Sequence, residues 1–128
     1  MTMTFVNLPV RDLTVATEFY RALGFTSDQA TPDGDSMMIT VSDTTRLMLH
    51  VRSAFEGYTR VPVTDPTTSR EVIVGLSAES RERVDELVDR AVVAGGESLG
   101  AGITNGPMYM RGFRDLDGHQ WSFLHLAG

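Results

Sequence analysis

Residues Val6 to Phe25 read VNLPVRDLTVATEFYRALGF. Val6, Leu8 and Val10 alternate with Asn7 and Pro9, the period-two pattern of a strand with one buried face. Asp12 supplies an N-cap oxygen just where the period changes. Ala16, Phe19, Tyr20 and Leu23 then recur at i, i+3, i+4 and i+7, one apolar stripe along a helix of about ten residues. Gly24 stands where the helix needs a left-handed C-terminal residue. The spacing predicts a strand, a tight turn and a helix. The later stretch EVIVGLSAESRERVDELVDRAVVAGG (Glu71 to Gly96) repeats that order.

Outward from this stretch, Thr26 to Ser36 is polar and turn-rich, with Pro32-Asp33-Gly34 as its breaker. Met37 to Val41 and Arg46 to Val51 read as strands, and the short link Ser42 to Thr45 makes them an antiparallel hairpin. Ser53 to Arg60 carries Phe55 and Tyr58 one helical turn apart and fits a short helix or an aromatic loop. Val61 to Arg70, with Pro62, Asp65 and Pro66, is the linker. The second half opens on a strand, Glu71 to Leu76, and Ser77 or Ser80 caps the helix that follows. Val84, Leu87, Val88 and Ala91 form its stripe, and Gly95-Gly96 end it. A glycine-rich loop, Gly100 to Gly106, leads to strands at Met108 to Arg114 and Gln120 to Leu126, joined by the turn Asp115-Leu116-Asp117-Gly118. Each half is thus strand, helix, then two or three strands. One helix per half covers one sheet face and leaves the other open.

The chain has 128 residues, 41% of them hydrophobic and 22% charged, the range of an ordinary globular domain. Its formal net charge of -6 and its scattered arginines argue against nucleic acid or an anionic membrane as partner. No cysteine is present, which excludes disulfides, thiolate nucleophiles and cysteine-based metal sites. No apolar run approaches the roughly 18 residues of a membrane span, and MTMTFVNL lacks the layout of a signal peptide. A cytoplasmic protein is expected. Gly100 to Gly106 opens no helix and lacks Lys-Ser/Thr, so it is not a phosphate loop. No G-x-S-x-G elbow occurs, and nothing in the chain indicates Ser-His-Asp chemistry.

The order of elements, with Val10-Arg11-Asp12-Leu13, Phe19-Tyr20, Leu23-Gly24-Phe25, Ala94-Gly95-Gly96 and Asp115-Leu116-Asp117-Gly118-His119, resembles the vicinal oxygen chelate superfamily. That superfamily includes glyoxalase I, extradiol dioxygenases, bleomycin-resistance proteins and fosfomycin-modifying enzymes. The VNLPVxDL opening and the EVIVxLSA strand are similar to a subgroup of small glyoxalase-like proteins. The resemblance implies an α+β fold of two βαβββ modules, a curved mixed sheet around a cleft. It implies one domain over residues 1–128, with modules 1–60 and 70–128 and a linker at 61–69. It also implies a homodimer. Metal-dependent members place His or Glu on the first and last strand of each half. Carried over by motif, those positions fall on Phe5, Met48, Glu71 and Ser122. Phenylalanine, methionine and serine are poor ligands for a divalent metal, so the family's metal site is expected to be missing. Only Glu71, and His50 by a shift, can coordinate.

If the cleft exists, strand parity puts Asn7, His50, Glu71 and Ser122 on its wall, with Met48 among them. Tyr109 and Arg111 share a strand face and can join the set. Such a wall of a few polar groups among Met and Phe suits a small molecule. His50 beside Glu71 is the candidate general base. His119 and His125 read as surface residues. The leading expectation is a protein that binds an apolar or aromatic compound in the cleft without a metal cofactor. One alternative is a metal-dependent lyase, isomerase or dioxygenase with displaced ligands, using His50 and Glu71. Another is a structural or regulatory module whose cleft is filled by Phe5, Met48 and Phe113.

Overall fold

A computed structural model describes residues 1–127, and Gly128, the last residue of the second module, lies outside the described residues. The chain divides into two compact units, Met1–Thr64 and Asp65–Gly128. Among the described residues there are three helices and two mixed sheets.

The first unit runs β1 (Thr4–Val10), α1 (Leu13–Ala22), β2 (Thr26–Ala30), β3 (Ser36–Thr40), β4 (Thr45–Val51) and α2 (Arg52–Thr59). The sheet order is β1-β4-β3-β2, with β1 parallel to β4 and the other pairs antiparallel. α1 is the crossover that lets β1 and β4 lie parallel. Asp12 caps it by accepting from the Val15 amide at 3.0 Å, and Gly24 ends it at φ +98°. Its stripe of Ala16, Phe19, Tyr20 and Leu23 is buried with Leu8, Val10, Ile39, Leu47 and Leu49. Pro9 is tolerated because β1 is an edge strand, where a missing amide donor breaks no central ladder.

The second unit repeats this path with β5 (Val74–Ser77), α3 (Arg81–Val93), β6 (Glu97–Ser98), β8 (Met108–Arg114) and β9 (Gln120–Leu126), ordered β5-β9-β8-β6. A short β7 (Ile103–Asn105) pairs with β8 beyond β6. Of the two serines expected as caps, Ser80 serves, accepting from the Arg83 amide at 3.0 Å. Val84, Leu87, Val88 and Ala91 of α3 are buried with Phe113, Trp121 and Phe123, whose rings stack at centroid distances of 6.3 and 5.7 Å.

Two expectations change. The segment Thr26 to Ser36 is not all turn, because TSDQA forms β2 and Ser36 opens β3. β2 is an exposed edge strand, so no buried face imprints an alternating pattern on it. The strand expected from Glu71 begins instead at Val74, which pairs with Trp121 near the start of β9. Earlier residues have no ladder to join, because the Asp115–Gly118 turn lies beyond Gln120. There Arg70 binds the Gly118 carbonyl at 2.7 Å and Gln120 Oε1 at 3.1 Å. Glu71, Val72 and Ile73 are consequently exposed.

Candidate functional site

The pairing of β1, β4 and β3 fixes which side chains share the face opposite α1. Pro9, His50 and Ser36 form one cross-strand row, Asn7, Met48 and Met38 the next, and Phe5, Arg46 and Thr40 the third. His50 is the centre of this face. Its Nδ1 lies 2.6 Å from Ser36 Oγ and its Nε2 lies 2.8 Å from Asn7 Oδ1. A carboxamide oxygen only accepts, so the ring proton sits on Nε2 and donates to Asn7. Nδ1 then accepts from the Ser36 hydroxyl. The result is a directed chain, Ser36 to His50 to Asn7, with both ring nitrogens committed.

The chain closes over this ring. α2 starts immediately after β4, and residues three apart on a helix lie on one side. Tyr58 and Phe55 therefore both reach His50, with ring centroids 5.4 and 6.2 Å away. The reading of 53–60 as helix or aromatic loop resolves to a helix. His50 is 4% exposed and Ser36 5%. Burial disfavours the imidazolium and holds the His50 pKa below its ordinary 6.5.

That shift has a pH signature. Below about pH 6.5 the unfolded chain takes up a proton that buried His50 refuses, so the unfolded state binds more protons. Folding stability is therefore expected to fall with falling pH, from about 6.5 down to the depressed folded pKa, and to level below it. The slope from this one group is at most about 1.4 kcal/mol per pH unit. Urea midpoints measured along that range, compared with His50→Gln, isolate its share. An unchanged profile in His50→Gln contradicts the assignment.

The other expected site residues are distributed differently from the sequence reading. In the second unit, Ser122 lies on the face opposite α3, in a row with Gly75 and Gly112. Tyr109 and Arg111 lie on the α3 face instead, since Arg111 is directly opposite the buried Phe123. They do not join Ser122. Tyr109 donates its hydroxyl to Asp85 Oδ1 at 2.6 Å, which raises its pKa, with a smaller contribution from burial. The Arg81 guanidinium lies 4.4 Å from its ring centroid. Arg111 binds Asp89 at 3.0 Å and the Gly100 carbonyl at 3.1 Å. Two strand residues sharing a face gave no indication of which face, and the burial of Phe113 and Phe123 against α3 decided it. His125, expected at the surface, is half-buried, with Nδ1 at 3.0 Å from the Ala78 carbonyl. Glu71 stands exposed ahead of β5.

Ser36 is the participant that the sequence reading missed. Pairing outward from the Ser42–Thr44 turn places it opposite His50, so the hairpin register carried the signal.

The superfamily's metal does not fit this donor set. Phe5 has no donor atom, Met48 offers a thioether, and Ser122 offers a neutral hydroxyl. Both His50 nitrogens are spent on Ser36 and Asn7. Among the described residues no group of three His, Cys, Asp or Glu side chains is placed to hold a metal ion.

Comparison with known proteins agrees with the fold. A hypothetical protein from S. aureus is 30% identical with a TM-score of 0.84, over 98% of this chain and 94% of that one. A glyoxalase/bleomycin resistance protein/dioxygenase family enzyme from Burkholderia phytofirmans PsJN is 16% identical (TM-score 0.81), over 98% of this chain and 99% of the other. Lactoylglutathione lyase from Agrobacterium tumefaciens is 18% identical (TM-score 0.70), over 97% and 92%. At such identities the latter two speak for the fold alone. No curated protein matches. The family profile described as Glyoxalase/Bleomycin resistance protein/Dioxygenase superfamily matches residues 2–123. With that match across nearly its whole length, the chain belongs to the glyoxalase/bleomycin resistance protein/dioxygenase superfamily.

Proposed function

We propose that the protein binds a small apolar or aromatic molecule without a metal cofactor, on the first unit's sheet face opposite α1. The observation that carries this reading is the state of His50, a buried ring with both nitrogens already bonded. A ring so held is a wall of a binding face rather than a ligand for a cation. The same face presents Met38 and Met48 half-buried and Phe5 50% exposed, and α2 adds Tyr58 at 72% exposure. Thioethers and aromatic rings adapt to flat apolar ligands. Among the described residues no helix is long and apolar enough to cross a membrane. A cytoplasmic homodimer is part of the same proposal and rests on the resemblance and on the acidic, cysteine-free composition.

NMR screening of aromatic fragments against the full chain carrying ¹³C-methyl methionine tests it. Binding fragments should perturb the Met38 and Met48 methyl signals. Tyr58→Ala should weaken them about tenfold, roughly 1.4 kcal/mol. Fragments that bind equally well to Tyr58→Ala, or that leave both methyl groups unmoved, would overturn the proposal.

A further inference from the structure

The second unit carries a cation whose best hydrogen-bonding edge is unused. Arg114 lies at the end of β8, in a cross-strand row with Glu97 of β6 and Gln120 of β9. Its neighbour Phe113 is buried with the stripe of α3, so alternation places Arg114 on the opposite face, with Gly112, Gln120 and Ser122. The Arg114 Nε is buried and has no hydrogen-bond partner among the described residues. Buried donors are nearly always satisfied, so an orphan of this kind calls for an acceptor.

The two acceptors directly beside it do not fill the role. Glu97 lies at 3.7 Å from Nη1, outside hydrogen-bond range, and its side chain is 67% exposed. Gln120 gives its Oε1 to Arg70 Nε at 3.1 Å. Arg70 is itself fixed, because its Nη1 donates to the Pro66 and Gly118 carbonyls at 2.7 Å each. A second guanidinium is thus tethered to the same glutamine that stands across from Arg114. Gln120 stands between two guanidiniums, and among the described residues the carboxylate within 4.0 Å of Arg114 is the exposed Glu97. The Nε and Nη2 hydrogens of a guanidinium point in parallel and match the two oxygens of a carboxylate. Glu97 approaches the opposite end, at Nη1. In the next cross-strand row, Gly112, Ser122 and Gly75, Leu99 lies over Gly112, its Cδ1 3.3 Å from where a Cβ would stand, so the row offers an apolar wall beside the small side chain of Ser122.

We propose that Arg114 anchors a carboxylate-binding site on the sheet face opposite α3, with Arg70 supplying the second positive charge. The ligand class is a small carboxylic acid whose apolar body packs against Leu99 and over Ser122. The site stands on the second unit alone and does not depend on the proposal for the first.

Titration of the ¹⁵N-labelled full chain with sodium benzoate tests this, following the Arg114 Nε–H signal, which Arg114→Lys removes and so assigns. Benzyl alcohol serves as the uncharged match and inorganic phosphate as the alternative anion. Benzoate is expected to shift the Arg114 Nε–H together with the Gly112 and Ser122 amides, at least tenfold more tightly than benzyl alcohol. Arg114→Lys should weaken benzoate tenfold or more, read at those two amides, because an ammonium cannot form the paired contact. Glu97→Gln should strengthen it severalfold by removing the competing charge. The site is disproved if benzoate at tens of millimolar leaves these signals unmoved, as a bridging water alone would. It is disproved equally if benzyl alcohol binds as well, or if neither substitution changes the affinity. Phosphate binding more tightly than benzoate would overturn the carboxylate assignment.

Discussion

Asp115→Ala should destabilise the protein by about 3–5 kcal/mol, the largest loss expected from any polar substitution considered. Asp115 is buried, and its two oxygens serve three donors at once. Oδ1 accepts from the Asp117 and His119 amides at 3.0 and 2.9 Å, and Oδ2 accepts from the Trp121 indole at 3.0 Å. Alanine removes the carboxylate acceptor from all three, at about 1–3 kcal/mol for each lost bond to a buried donor before non-additivity. The damage spreads because the turn holds the start of β9. Gly118, at φ +92°, packs against the Pro66 backbone, and its carbonyl anchors Arg70. Asp115→Asn keeps one oxygen for the amides but turns an NH2 group toward the indole, so an intermediate loss is expected. Urea denaturation followed by far-UV circular dichroism reads both. A loss under about 1 kcal/mol in Asp115→Ala would show that the turn is held by something else.

Ser36→Val is the second large effect, at about 2–3 kcal/mol. Valine matches serine in reach but removes the hydroxyl that bonds His50 Nδ1, leaving a buried acceptor without that donor. The same change should raise the fraction of His50 in the other tautomer, since nothing then holds Nδ1 as the acceptor. Ser36→Thr, which restores a hydroxyl, should recover most of the loss. Combining Ser36→Val with Asn7→Leu in a double-mutant cycle should cost less than the sum of the two singles. Additive losses would mean that the chain through His50 is not one unit.

Most of the scaffold was legible in the sequence because burial wrote it there. The stripes Ala16-Phe19-Tyr20-Leu23 and Val84-Leu87-Val88-Ala91 recur at helical spacing since each faces one sheet. Asp12, Gly24 and Gly95 marked helix ends by chemistry that needs no tertiary context. What the sequence hid was set by partners distant in the chain. β2 has almost no apolar side chains and exists through its ladder with β3. β5 starts late because β9 gives it nothing earlier to pair with. Tyr109 and Arg111 do not join Ser122, because alternation alone does not say which face a helix will take. Ser36 ended a polar stretch in the sequence and became a site residue only through its register with His50. His50 and Asn7 were picked out from parity and meet as hydrogen-bond partners, while Glu71 stays outside the strand that was to present it.

The proposal for the first unit rests on His50 being a neutral, doubly bonded wall of its binding face. Long-range ¹H–¹⁵N correlation spectra of the His50 ring at pH 7 test it most directly, recorded before and after addition of Zn²⁺ or Ni²⁺. The expected spectrum has a protonated Nε2 and an unprotonated, hydrogen-bonded Nδ1, unchanged by either metal and redistributed between tautomers in Ser36→Val. A proton on Nδ1 would overturn the directed chain from Ser36 to Asn7, and a His50 signal that moves stoichiometrically with added metal would make this histidine a metal ligand.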